Sequence, residues 1–153
     1  MKNIILIVIP LAFLFSACSQ KYPLALGDDY FIDYDGNSYF GLVDKNRTEM
    51  IAPHITKFNF DSVFIVVEQK PVDLILKDTY NNPEWNLEKR DKLFEDSRFY
   101  QYWIINKKET GEYSLDTLTQ LAHYSNVYGP YTKEEFQQKR EELGVPKKLQ
   151  LKE

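Results

Sequence analysis

Hydrophobic and polar positions divide the chain into an apolar terminus and a patterned body. Ile4 to Leu14 is almost wholly apolar, interrupted by Pro10, and it follows a single cation, Lys2. The run falls short of the ~20 residues a membrane-crossing helix needs. A basic start, a short apolar stretch and the small residues Ser16-Ala17 match a secretory signal. From Asp28 the period becomes two. Tyr30, Ile32 and Tyr34 alternate with Phe31 and Asp33, and Tyr39 to Val43 is again strand-like. Asp35-Gly36-Asn37 between them predicts a hairpin turn. Met50-Ile51 precedes Pro53, and Ile55–Phe60 with Val63–Glu68 predicts a second hairpin about Asp61-Ser62. Val63 to Val67 is apolar on both faces, the pattern of a central strand covered on both sides.

Further along, Leu74–Leu76 reads as a short strand. The charged stretch 82–97 reads as a surface helix opened by Asn82-Pro83, with Leu87, Leu93 and Phe94 as anchors. Phe99 to Ile105 predicts a strong strand, followed by a polar turn over Asn106–Gly111. Leu115, Leu118, Leu121 and Ala122 have helical spacing, which predicts a short helix over Ser114–Ala122. Asn126–Tyr128 predicts a last strand, ended by Gly129-Pro130. The final helix has the clearest signals. Thr132 is its N-cap, Glu135 completes a capping box, and Tyr131 with Phe136 forms a hydrophobic staple. Gly144 and Pro146 stop it. Phe136 and Leu143 are its apolar anchors, with the Arg140 stem between them.

These elements predict an α+β fold: a mainly antiparallel sheet of short strands, a charged helical insertion, and a C-terminal helix packed on the sheet. The expected division is a signal over residues 1–17, Cys18 and a tether to 27, and one domain over 28–153. Composition agrees with one folded domain. The 153 residues are 27% charged and 15% aromatic, with 6 Gly and 7 Pro, which excludes a fibrous or wholly disordered chain. The formal net charge of −4 and the lack of a basic stripe argue against nucleic acid as a partner. A single Cys excludes an intrachain disulfide.

Leu14-Phe15-Ser16-Ala17-Cys18 resembles the lipobox of bacterial lipoproteins, with Phe15 where Leu is usual. The resemblance implies diacylglycerol on the Cys18 sulfur, cleavage before Cys18 and acylation of the new amino group. It also implies a membrane anchor in the cell envelope, facing the periplasm. Two or more acyl chains give stable anchoring where one does not. Tyr102-Trp103-Ile104-Ile105, Val127-Tyr128-Gly129-Pro130, Glu135-Phe136 and Glu142-Leu143-Gly144-Val145-Pro146 resemble a family of small bacterial lipoproteins, domain of unknown function 3997. Residues 109–125 read as an insertion relative to that pattern. The resemblance brings no catalytic residue to this chain.

The search for chemistry returns little. His54 and His123 are the two histidines, each read as a surface or strand-edge residue, and no HExxH, CxxC or GxSxG string occurs. Asp33, Asp35, Asn37 and Asp44 overlay positions 1, 3, 5 and 12 of a calcium loop. Against that reading, Ser38 stands where Gly makes the sharp turn, position 12 is Asp, and the flanks are strand-like. The Asp-Gly hairpin explains the same residues. Phe99-Tyr100-Gln101-Tyr102-Trp103 has aromatics on both faces, read as a packed central strand in preference to a stacking platform. No cofactor is implied. The leading expectation is a non-enzymatic, lipid-anchored module that binds an envelope protein or a glycan. A small hydrolase without a recognisable motif, or an inhibitor or immunity-type lipoprotein, are the alternatives.

Overall fold

The computed structural model describes residues 23–34, 40–115 and 122–152. Two four-stranded antiparallel sheets form its frame. The first runs in chain order, from β1 (Leu24–Gly27) through β2 (Tyr30–Tyr34) and β3 (Phe40–Asp44) to β4 (Glu49–Ile51). The second has the order β10-β7-β6-β5, with β5 at Ile55–Phe60, β6 at Phe64–Gln69, β7 at Gln101–Asn106 and β10 at Val127–Tyr131. A small hairpin pairs β8 (Tyr113–Leu115) with β9 (Ala122–Tyr124). Helices α1 (Val72–Leu76) and α2 (Leu87–Asp96) are inserted between β6 and β7, and α3 spans Lys133–Glu142.

Sheet periodicity explains the layering. Successive strand residues point to opposite faces. On β6 and β7, Ile65, Val67 and Ile105 enter one core, where they meet Leu26, Ile32, Leu42 and Ile51 of the first sheet. Their neighbours Phe64, Val66, Tyr102 and Ile104 enter a second core with Phe136, Val145 and Leu149. The second sheet is therefore the middle layer, between the first sheet and α3 with the segment that follows it. The expectation for Val63–Val67 holds: Phe64 to Val67 are all buried. Trp103 packs on the first core and donates its Nε1–H to Gln69 Oε1 at 3.0 Å, so the aromatic strand is covered on both faces and Phe99 lies exposed before it. Lys107 ties two layers together: its side chain is 2% exposed and its Nζ donates to the Leu26 carbonyl at 2.9 Å.

The antiparallel hairpins follow the sequence. β2 and β3 pair from Tyr30–Asp44 to Tyr34–Phe40, and β5 pairs with β6. Five local expectations are corrected. Leu24–Gly27, assigned to the tether, forms β1, with Leu26 fully buried. Leu74–Leu76 belongs to α1, a single helical turn with Leu76 turned inward. The insertion helix starts at Leu87. Asn82 forms its own local turn by accepting from the Glu84 amide, and Asn86 caps the helix by accepting from Lys89. The residues flanking 116–121 are strands paired as Tyr113–Tyr124 and Leu115–Ala122, where a helix over Ser114–Ala122 was expected. The intervening part of that expectation lies outside the described residues. Finally, β10 continues past Gly129-Pro130 to Tyr131 through a register shift. Gly129 makes the shift possible: at φ +136°, a Cβ there would meet Trp103 Cε3 and the Tyr102 carbonyl at 2.8 Å.

Helix α3 carries its expected caps. The Thr132 hydroxyl accepts from the Glu135 amide at 3.3 Å, and the Glu135 carboxylate accepts from the Thr132 amide at 2.8 Å. At the other end, the Val145 amide donates to the Arg140 carbonyl and the Gly144 amide to the Glu141 carbonyl, with Gly144 at φ +71°. This Schellman pattern reverses the chain. The return segment then runs back to β5, where Phe58 and Lys152 exchange backbone hydrogen bonds. Phe136 is 1% exposed and stacks on Tyr102, with centroids 5.2 Å apart.

Thr132→Ala should cost about 1 kcal/mol of unfolding free energy through the lost cap. Phe136→Ala should cost about 3–5 kcal/mol, because the ring is sealed in the second core. Urea unfolding of the full chain measures both, and a Phe136→Ala loss no larger than the Thr132→Ala loss would contradict this packing.

Candidate functional site

Polar groups from several elements converge in concavities where α3, the middle sheet and the return segment meet. One cleft, about 210 Å³, is lined by Lys57 of β5, Glu68 of β6, Tyr102 of β7 and Lys133 at the start of α3. A second, about 560 Å³, lies at the helix C-terminus beside Glu141 and Lys147. Gln137, Arg140 and Gln150 line both. The two clefts thus flank Arg140, a residue with almost no exposed surface.

Cross-strand pairing builds the first cleft. Glu68 stands directly opposite Tyr102 and near Lys57. The Glu68 carboxylate accepts from the Thr56 hydroxyl at 2.9 Å and lies 3.7 Å from Lys57 Nζ. Burial pushes the Tyr102 phenol up to about 12, and the charge and hydrogen bond of Glu68 push the same way. At neutral pH this phenol is a bound donor to a carboxylate and a poor base. Tyr128, on the same sheet face, is also raised to about 12, first by its 2.6 Å hydrogen bond to Glu109 and then by burial.

Arg140 is held differently. Its Nη2 donates to the Leu149 carbonyl at 2.8 Å and to the Pro146 carbonyl at 3.1 Å, and its guanidinium lies 5.4 Å from the Phe136 ring centre. It clamps the return segment to the helix. Burial lowers its pKa from the ordinary arginine value, yet it stays charged at any physiological pH. Among the described residues no carboxylate forms an ion pair with it. Sequence reasoning assigned only its aliphatic stem to packing. The signal that it is more than that was its position four residues after Phe136, which puts both on one helix face. The acidic Glu68 directly after the apolar run Phe64–Val67 was the corresponding signal for the first cleft.

The described residues among those singled out from sequence lie apart from one another. His54 adopts φ +72° in the loop before β5 and meets Phe94 of α2 edge-on at 4.9 Å, while His123 is exposed on β9. Asp33 pairs with Arg47, and Asp44 Oδ1 accepts from the Asn46 and Thr48 amides, closing the β3–β4 turn. Asp35, Asn37 and Cys18 lie outside the described residues. Among the described residues no group of three or more His, Cys, Asp or Glu is placed to hold a metal ion.

The raised Tyr102 pKa sets a pH dependence. Its stabilisation is complete below pH 10, where the unfolded phenol is protonated, and is lost as pH rises through about 12. Tyr102→Phe should therefore lower the melting temperature at pH 8, and the gap to the unaltered protein should narrow by pH 11. Thermal unfolding at both pH values checks this; a gap that widens at pH 11 contradicts the assignment.

Comparison with known proteins gives one match. Neither the curated proteins nor the solved structures yielded one. A family model described as "Protein of unknown function (DUF3997)" matches residues 28–153, which takes in both sheets except β1, the inserted helices, α3 and the clefts around Arg140. The chain belongs to that family.

Proposed function

We propose that the protein is a lipid-anchored module of the bacterial cell envelope that acts by binding and not by chemical turnover. The observation that carries the reading is Leu14-Phe15-Ser16-Ala17-Cys18, a lipobox-like string behind a short apolar run. β1 begins at Leu24, six residues after Cys18. At ~3.3–3.6 Å per residue the connection reaches about 20 Å, so a lipid on Cys18 would hold the domain against the membrane surface. The sulfur would be consumed by the lipid, in keeping with an oxidising compartment. Binding is favoured over hydrolysis by the state of the clefts: Glu68 and Tyr102 are engaged with each other, and the phenol is held protonated. A hydrolytic site needs a nucleophile and a base in mutual reach. The partner would be an envelope protein or glycan presented close to the bilayer.

Cys18→Ala should abolish both incorporation of a fatty-acid analogue and recovery of the chain in the membrane fraction. Metabolic labelling with fractionation decides it. Labelling that persists in the variant overturns the anchor.

A further inference from the structure

We infer that the clefts around Arg140 form a binding site for an oxyanion, a phosphate or carboxylate group carried by the ligand. The inference rests on the binding reading above and names the chemistry that the site would take.

Arg140 is itself a buried cation. It is 5% exposed, yet its polar partners are two neutral carbonyls, and both engage Nη2 alone. Taking a cation out of water is costly unless an anion compensates it. Among the described residues, the buried side-chain atoms without a partner are Arg90 Nε and Asn126 Oδ1. Arg140 Nε and Nη1 are not among them although neither makes a hydrogen bond among the described residues, so both keep some accessible surface, and Arg140 lines both clefts. Lys133 and Lys147 line the clefts on either side, and no described carboxylate lies within ion-pair distance of either. The Lys57 ammonium is balanced by Glu68. Glu141 is the other carboxylate among the described lining residues. Among the described lining residues, three cations, one of them buried, thus face one uncompensated acid. Gln137 and Gln150 add side-chain amides to the same walls. An oxyanion entering here would gain charge-assisted hydrogen bonds and would supply the counter-charge that the buried guanidinium lacks.

The test is a titration of the full chain in nonionic detergent micelles, followed by the ¹H–¹⁵N signal of Arg140 Nε. Inorganic phosphate and acetate are added separately, with ionic strength held constant by chloride. At least one should shift the Arg140 signal along a saturating curve. The Lys133→Gln/Lys147→Gln double variant should raise the midpoint by about fivefold, the scale of two exposed charge contacts. Both lysines are exposed, so the variant keeps the fold. A lower midpoint for phosphate assigns a phosphate-bearing ligand, and a lower midpoint for acetate assigns a carboxylate-bearing one. A response to both anions that is linear or absent overturns the site, as does an unchanged midpoint in the double variant. Metabolic labelling of the unaltered chain separates this inference from the anchor: saturation of the Arg140 signal in a chain that takes up no fatty-acid analogue removes the anchor alone, and labelling of a chain whose Arg140 signal does not saturate removes the oxyanion site alone.

Discussion

The fold depends on one constraint: the paired strands β6 and β7 are apolar on both faces, so both faces must be covered. No single sheet or helix can do that. Ile65, Val67 and Ile105 require the first sheet, and Phe64, Val66 and Ile104 require α3 and the return segment. At about 25 cal/mol per Å² of buried apolar surface, each covered side chain stabilises the fold by about 1.5–3 kcal/mol. Leaving either face open would forfeit several such terms, more than a small domain has in reserve.

The placement of the candidate site follows from that demand. α3 is polar on most of its surface and reaches the sheet through Phe136, with Leu143 half-buried beside the second core. A contact that narrow leaves space along the helix, and the return segment fills part of it with Val145 and Leu149. What it leaves are the two clefts. Arg140 holds the segment in place by its carbonyls, so the group that closes the second core is also the buried charge at the centre of the site. An oxyanion bound there would be coupled to the stability of the C-terminal layer through one side chain. The inserted α1–α2 pair stands apart from this arrangement. α2 buries none of its residues, and it is tied toward the sheet through Lys70, whose Nζ donates to the Glu95 carbonyl at 3.0 Å and lies 4.7 Å from the Phe94 ring, and through the edge-on contact of His54 with Phe94.

Much of the frame was legible because period-two patterns and caps are local signals. The capping box at Thr132, the both-sided burial of Val63–Val67 and the antiparallel pairing of β2 with β3 could all be read from neighbouring residues. Failures came where local and tertiary preferences diverge. Leu115 and Ala122 have helical spacing, yet they pair across a hairpin. Leu24 to Gly27 is short and flanked by Pro23, but Leu26 has a place in the first core that only the folded sheet provides. Asn82 and Asn86 are both capping residues, and nothing local decides between a turn and a helix start. The site was less legible than the fold. Glu68, Tyr102 and Arg140 come from β6, β7 and α3, and only the layering brings them together. No short motif records such a meeting.

Native-state hydrogen exchange on the full chain tests the central claim most directly. If β6 and β7 are the shared middle of both cores, their interior amides, Ile65 to Val67 and Trp103 to Ile105, should exchange only by global unfolding. They should show one common protection free energy, the highest in the molecule, with α2 opening far more readily. Exchange of the β6–β7 amides at the rate of α2, or loss of their protection while the first sheet stays protected, would show that the double-faced pair is not what holds the layers together.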